Sequence, residues 1–484
     1  MDKIESNIVL EGSSKCPDSE LGKVLAPGET VRNVKEVLKQ VGLRLVKQTL
    51  RVDSHRFGIP VFVCLAGEDN NATQRQSMGK GSSPEQAEAS ALMELIERFS
   101  YANFPRPGDF LKATYDNVDD KSIPFDYFFF VPNKEAPVPE ENKTRFTELP
   151  FSWVPAYSLQ QERDFLIPYE WFADIQGTNG LSAGNTLDET ILQGLCEVVE
   201  RHVSSVVNTK REPVPTIDIA TVKDPVARDL LRRFLSHGIR MVFKDFSLDT
   251  GIPTVGGIAY DPSSFPKSEI VFCAATATHP EKALIRVLTE IQQMAIDYFR
   301  QDYYAGGILP KFRTIQEARY LLSEDNLVPI DSLPDVSEAD MKKEIEKCTT
   351  ALTAIGYEPL VINITHPTLE IPSVFVIIPG SEQHDNLSRD LNTYYYIGRR
   401  LQHLGYFELA IDWYQKSISE HPASSCHCYM QIGECYNYLG QYREAVDSYK
   451  TCFRYGPDRV MQISLYDSAL SCMEKLKAGG ALTS

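Results

Sequence analysis

Positive charge is scarce in this sequence. Lys and Arg total 49 against 66 Asp and Glu, a formal net charge of −17. Non-specific nucleic-acid binders need a basic face, so that class is excluded and no nucleic-acid partner is expected. Long apolar runs are also missing. None approaches the roughly 18 residues of a membrane-spanning helix, so no membrane partner is expected. The opening MDKIESNIVLEGSSK has no basic start followed by an apolar stretch, so no secretion leader is read. Ten cysteines lie scattered without a framework. Reduced thiols in a cytoplasmic protein are the expectation. No segment reads G-x-x-x-x-G-K-[ST], which excludes a Walker phosphate loop.

What is present is ordinary globular material: 484 residues, 43% apolar and 24% charged. That length allows two or three cores. The pattern predicts an α+β body over residues 1–385 and a small all-α tail over 386–484. Helical periodicity runs from Val31 to Val46, and FGIPVFVCLAG (Phe57 to Gly67) reads as a buried strand. A Gly-rich loop (Met78 to Ser83) leads into a helix, and a second, GTNGLSAGNT, leads into another. Between them, residues 105–150 hold seven prolines, an aromatic run (Phe128 to Phe130) and many charges. That stretch reads as an insertion outside the core. Strand-like runs follow at IRMVFKDF, IPTVGGIAY and SEIVFCAATA, then a third helix, EKALIRVLTEIQQMAIDYF, then a strand at PSVFVIIPG.

In the tail, Gly398, Ala410, Tyr414 and Pro422 recur 35 residues later as Gly433, Ala445, Tyr449 and Pro457. The spacing and residue types resemble those of the tetratricopeptide repeat, a helical hairpin with small residues where its helices cross. Two repeats and a closing helix (about Met461 to Lys477) are few for a free-standing solenoid. The tail is expected to pack on the body or on a second copy in a homodimer.

Two helices carry the chemistry. SALMELIERFS (Ser90 to Ser100) and GLCEVVERHVS (Gly194 to Ser204) both contain Glu-x-x-Glu-Arg. At 100° per residue, Ser90, Glu94 and Glu97 share one stripe of the first helix. Glu189, Gln193, Glu197 and Glu200 share one stripe of the second. The approaches match: Gly81 and Gly184 each stand thirteen residues before Glu94 and Glu197, and Ser83 and Thr186 are equivalent N-caps. Glu189 also completes a capping box with Thr186. A glutamate stripe on one helix is ordinarily solvated surface. A stripe repeated in register with a Gly-rich loop is not. Facing carboxylates repel unless cations sit between them, and oxygen-rich clusters suit Mg²⁺ carrying phosphate. Arg98 and Arg201 can meet phosphate oxygens or brace the carboxylates.

GKGSSPEQAEASALMELIER, SAGNTLDETILQGLCEVVER and ALIRVLTEIQQ together resemble the three signature segments of the YcaO superfamily. The resemblance covers about residues 20 to 385 and includes SVFVIIPG. It implies a body that binds Mg-ATP between paired helices and activates a peptide amide by O-phosphorylation. It places Glu94, Glu97, Glu197 and Glu200 at Mg²⁺ ligands, and Lys23, Thr30, Ser90, Arg98, Asn185 and Glu189 at the nucleotide. Arg201 and Arg286 fall at the migrating phosphoryl group, as the catalytic pair. The cofactors implied are ATP and Mg²⁺, and the substrate is a peptide or protein. Azoline-forming relatives often end in a Pro-rich tail, whereas this chain continues into repeats and KAGGALTS. The implied branch is therefore thioamide formation, with a TfuA-like sulfur-delivery partner. The alternatives are an accessory factor for ribosomal-protein methylthiolation, an azoline cyclodehydratase, or a non-catalytic repeat scaffold.

Other motifs carry less. GLSAG (Gly180 to Gly184) fits the nucleophile elbow of serine hydrolases with Ser182 as nucleophile, but an elbow follows an apolar strand and ADIQGTN is polar. Cys426, Cys428 and Cys435 could suggest zinc, yet no outer ligand pair exists and packed cysteines are the expectation. His202 and His279 are isolated and read as structural.

Overall fold

The computed structural model of the protein describes residues 5–53, 56–72, 75–104, 110–129, 138–264, 269–295, 312, 314–382, 391–457 and 459–478. Helix α1 (Pro27–Val41) starts on a proline, where no amide donor is needed, and ends at Gly42, whose φ is 71°. The helix expected to reach Val46 therefore stops early. Val46 instead opens strand β1 (Val46–Arg51). With β2 (Val61–Ala66) and β3 (Gln76–Lys80) it makes an antiparallel three-stranded sheet. Part of the first Gly-rich loop is thus strand, with Gly79 opposite Phe62 and Lys80 opposite Val61. Helix α2 (Pro84–Asn103) follows.

The stretch 105–150 is not outside the core. It contributes β4 (Leu111–Ala113) and α3 (Glu140–Glu148), and it buries Val118, Ile123, Phe128, Phe129 and Phe146. Prolines and charges punctuate the stretch, but its aromatics dock on β5 (Phe151–Ser158); the Phe146 and Phe151 rings lie 4.8 Å apart. Phe130, the last of the aromatic run, lies outside the described residues.

β6 (Arg163–Pro168), α4 (Tyr169–Gln176), β7 (Leu181–Ala183) and α5 (Leu187–Lys210) come next. Then follow β8 (Thr216–Asp218), α6 (Pro225–Ser236), β9 (Arg240–Asp245), β10 (Thr254–Tyr260), β11 (Val271–Thr276) and α7 (Pro280–Ala295). Residues 296–299, the end of the third expected helix, are outside the described residues. The body closes with α8 (Arg319–Leu322), β12 (Leu327–Pro329), α9 (Met341–Ala354), β13 (Leu360–Asn363) and β14 (Ser373–Ile377). One sheet runs β11-β10-β9-β8-β12, antiparallel except for the β8–β12 pair. The other runs β4-β5-β13-β14-β7 with β6 beside β5. The fold is α+β, as expected.

The tail is α10 (Thr393–His403), α11 (Phe407–Glu420), α12 (Ser425–Tyr438), α13 (Tyr442–Arg454) and α14 (Arg459–Ala478). A Cβ on Gly398 would stand 2.8 Å from the Tyr414 ring, and one on Gly433 would stand 2.4 Å from the Tyr449 ring. The same glycine–tyrosine crossing is made in both repeats. α10 packs on the body: Arg400 is 3.1 Å from Glu170, Arg399 3.2 Å from Asp174, and Tyr396 meets Trp171 at 6.0 Å between rings. One apolar cluster contains Trp153, Trp171 and Phe375 of the body together with Tyr396, Trp413 and Tyr414 of the tail.

Removing residues 386–484 should therefore open an aromatic core rather than detach an appendage. The expected result is a lower melting temperature and increased binding of an apolar dye. A truncated protein that melts unchanged would contradict the shared core.

Candidate active site

The two motif segments fold as one unit used twice: strand, glycine turn, capped helix. Ser83 Oγ accepts from Gln86 N at 3.2 Å, and Thr186 Oγ1 accepts from Glu189 N at 3.3 Å. Strand and helix nearly touch in both. A Cβ on Gly79 would lie 2.1 Å from the Ala87 carbonyl oxygen and 2.2 Å from Ala91 N. In the second unit the glycine is on the helix: a Cβ on Gly194 would lie 2.8 Å from Gly180 O and 3.0 Å from Ser182 Oγ. These crossings fix how each helix is rolled. All twelve expected residues, Lys23, Thr30, Ser90, Glu94, Glu97, Arg98, Asn185, Glu189, Glu197, Glu200, Arg201 and Arg286, line one cleft of about 630 Å³.

Each arginine braces the carboxylates of its own helix. Arg98 is 3.4 Å from Glu97 and 3.9 Å from Glu94; Arg201 is 3.3 Å from Glu200 and 3.8 Å from Glu197. Across the cleft the carboxylates oppose one another. Burial pushes the Glu97 carboxyl well above its ordinary range; Arg98 pulls it back, and Glu197 and Glu94 push it further up. Glu197 is raised in the same way, by burial and by Glu94, against Arg201 and Arg98. Glu200, only 5% exposed, is pushed to about 7 by burial and by Glu290, against Arg201. Two backbone amides reach in, from Met78 N to Glu94 Oε2 at 3.1 Å and from Thr276 N to Glu200 Oε2 at 3.2 Å.

The segment before α1 lines another part of the cleft with Leu21, Lys23 and Leu25. Glu189 spends its carboxylate away from a capping box: Oε1 accepts from Asn185 N and Nδ2, and Oε2 accepts from Val24 N at 2.8 Å. Lys23 stands 4.0 Å from Glu189. Burial pushes its ammonium below the usual range, against Glu189. Lys23 Nζ and Arg286 Nη1 both donate to Gln193 Oε1, at 3.2 and 2.9 Å. Thr30 Oγ1 donates to Asn185 Oδ1 at 3.0 Å.

Three further lining residues escaped the sequence reading: Lys80, Gln193 as a site residue, and Glu290. Lys80 Nζ donates to Glu290 Oε2 at 2.6 Å. Burial works against the Glu290 charge, yet Lys80 and Arg201 hold its carboxyl below the ordinary range. Glu290 stands one helical turn after Arg286, a spacing the sequence displays.

The competing motifs dissolve. Ser182 sits inside β7, 1% exposed, paired to β14 and donating to the Thr190 carbonyl at 2.7 Å. It is not on an elbow. Cys426 and Cys435 belong to two different apolar clusters. Among the described residues no three His, Cys, Asp or Glu side chains form a ready metal centre. His202 accepts from Glu382 N at 3.0 Å and meets Tyr357, and His279 accepts from Glu281 N at 3.2 Å. Both are in structural roles.

A family model described as YcaO cyclodehydratase, ATP- and Mg²⁺-binding, matches residues 78–382. The chain belongs to the YcaO family. A tetratricopeptide-repeat model matches residues 427–458. Similar proteins include an uncharacterized protein of Methanothermobacter thermautotrophicus, 26% identical, covering 74% of this chain and 95% of that protein. Another, from Rhizobium leguminosarum bv. trifolii, is described as lying in the tfuA 3′ region; it is 25% identical over 74% of this chain and 88% of that protein. The ribosomal protein S12 methylthiotransferase accessory factor YcaO of Escherichia coli is 26% identical over 29% of this chain and 24% of that protein. The fold is similar to that of YcaO from Methanopyrus kandleri bound with AMPPCP and Mg²⁺, with a TM-score of 0.59 and 21% identity, over 77% of this chain and 95% of that one.

ATP and Mg²⁺ are thus the cofactors of the family, and the donor set here fits them. Carboxylates pushed toward protonation ask for a cation. Among the described residues the buried Arg286 Nε has no hydrogen-bond partner, an open donor suited to a phosphate oxygen. Mg²⁺ keeps waters and takes substrate phosphates beside one or two carboxylates, so a complete protein cage is not required.

The raised carboxyls give a stability signature. Between their ordinary range and about 7, the folded protein binds more protons than the unfolded chain, so stability falls as pH rises through that window. Without metal, the melting temperature should rise by a few degrees from pH 7.5 to 5.5, and Glu200→Gln should flatten the slope. A wild-type protein whose melting temperature falls steadily over that range would contradict the assignment.

Proposed function

We propose that the protein uses Mg-ATP to phosphorylate the oxygen of a peptide backbone amide and installs a thioamide there. Residues 1–385 form the catalytic body and 386–484 the repeat region. The observation that carries the proposal is the in-register pair of Glu-x-x-Glu-Arg helices facing across one cleft. The relative in the tfuA 3′ region supports the sulfur branch and a TfuA-like partner.

Glu94, Glu97, Glu197 and Glu200 would hold Mg²⁺, which supplies charge neutralisation for the triphosphate. Lys23, Thr30, Ser90, Asn185 and Glu189 would line the nucleotide. Arg98 braces the first pair of carboxylates. Arg201 and Arg286 would stabilise the negative charge that develops on the migrating phosphoryl group. A sulfur nucleophile adds to the amide carbon. The former carbonyl oxygen takes the γ-phosphoryl group and ADP leaves. The C–O bond then breaks, phosphate departs and sulfur loses its proton, leaving C=S. No protein nucleophile is required.

The similarity to the E. coli accessory factor favours a second reading, support of ribosomal-protein methylthiolation, over a much shorter part of the chain. The two readings separate by product. The thioamide reading requires one oxygen replaced by one sulfur in a precursor peptide, with ADP and phosphate released in equal amounts. Phosphate release without sulfur incorporation, given a TfuA-like partner and a sulfide source, would favour the accessory role.

Glu94→Gln and Glu200→Gln should each weaken Mg-ATP binding by at least about tenfold, the range seen when even an outer partner of a metal ligand is removed. The double variant should lose much less than the sum, because one missing ligand already disorders a shared cluster. Calorimetry with Mg-ATP checks both. Additive losses would indicate two separate sites.

A further inference from the structure

The five cations lining the cleft are not held alike. Arg98 and Arg201 each lie against two carboxylates of their own helix. Arg286 is tied to Gln193, as is Lys23, which also faces Glu189. Lys80 differs. It comes from strand β3, whereas the three arginines come from helices, and its ammonium crosses to α7, where it donates to Glu290 Oε2 at 2.6 Å. The strand beneath it cannot shift, because Gly79 is pressed on α2 and Lys80 is paired with Val61. Only the side chain is free to relocate. A lysine is a compact point charge on a flexible stem, unlike an arginine fork.

Glu290 and Glu200 line the same cleft, and the Glu290 charge pushes the Glu200 carboxyl up. Lys80 therefore puts a monovalent cation on Glu290, on the α7 side of the carboxylate cleft. The lining residues carry six carboxylates (Glu94, Glu97, Glu189, Glu197, Glu200, Glu290) against the five cations (Lys23, Lys80, Arg98, Arg201, Arg286). With Lys80 in place the cleft is close to neutral, and a bare divalent ion gains little by entering. An incoming triphosphate changes that balance, because its phosphates give the ammonium another anion to meet.

We propose that Lys80 is a built-in counter-ion that occupies the Glu290 corner in place of the divalent cation and makes metal binding dependent on nucleotide. This rests on the reading of the cleft as a Mg-ATP site. When the nucleotide arrives, the ammonium transfers from Glu290 to phosphate oxygens and the carboxylates are left to the metal. The ammonium stays within the cleft throughout, and no buried carboxylate is left without a cation at any stage.

The test is calorimetric titration of the full-length protein with MgCl₂ alone, then with Mg-ATP, together with melting curves at each stage. Wild type is expected to bind Mg²⁺ weakly alone and well with ATP. Lys80→Met should tighten Mg²⁺ alone by about tenfold or more, since a unit charge a few ångströms away is removed. It should also weaken ATP. Its melting temperature should drop without metal, from the unpaired Glu290, and recover with MgCl₂. Lys80→Arg, which keeps the charge, should leave Mg²⁺ binding alone as weak as in wild type. The gain in Lys80→Met should vanish in Lys80→Met/Glu290→Gln. If wild type fails to bind Mg-ATP at all, the reading of the cleft fails. If it binds Mg-ATP but Lys80→Met leaves Mg²⁺ affinity unchanged, or Lys80→Arg tightens it, the counter-ion role is overturned and the Mg-ATP site stands. Should Lys80→Met prove insoluble, Lys80→Gln, which also removes the charge, takes its place with the same expected and overturning outcomes.

Discussion

Like charges buried side by side are the constraint that organises this molecule. Glu94, Glu97, Glu197, Glu200 and Glu290 share one cleft, and low-dielectric surroundings make their repulsion expensive. The structure answers with cations placed by sequence spacing. An arginine one residue after the second glutamate lies four after the first, so a single side chain spans both. That is why Arg98 and Arg201 stand where they do. The two helices must also be rolled toward each other, and the roll is set by backbone crossings that admit no extra Cβ at Gly79 or Gly194. The small residue changes sides between the two copies while the crossing is kept. The geometry is preserved, and the chain has found two sequences for it.

The paired unit was legible because it is local. Cap, glycine turn and Glu-x-x-Glu-Arg lie within about five helical turns, and periodicity reports such spacing directly. All twelve residues nominated from that pattern and the resemblance line the cleft. The significance of Glu290 and Lys80 is non-local: α7 has no duplicate, and Lys80 lies in what reads as a Gly-rich loop. The same cause explains the missed elements. β5 is buried on nearly every residue and contains Pro155, so neither alternation nor an unbroken apolar run marks it. The residues between 105 and 150 have the composition of a loop, yet Phe128 and Phe146 stack at 5.1 Å in a core that other segments build. The end of α1 was misplaced for a smaller reason: apolar residues after Gly42 continue the helical spacing, but a left-handed glycine ends the helix first.

The tail stands far from the carboxylates in sequence and close to their scaffold in space. Arg400 reaches Glu170 and the Pro150 carbonyl, and Arg399 reaches Asp174. Glu170 and Asp174 are both on α4. The chain leaves α4 at Gln176, whose Nε2 donates to Asn179 O at 2.6 Å and to Val376 O at 2.5 Å. Four residues on, Gly180 O accepts from Val376 N at 2.9 Å, in space where a Cβ would meet Val376 O at 2.2 Å. β7 begins there, and α5 with its glutamates follows. The repeats thus clamp the helix that delivers the second strand–turn–helix unit to its place. A solenoid of two repeats has end faces to cover, and a short turn between α4 and β7 needs something rigid behind it. One packing contact answers both requirements, which is a physical reason for repeats and body to share a single aromatic core.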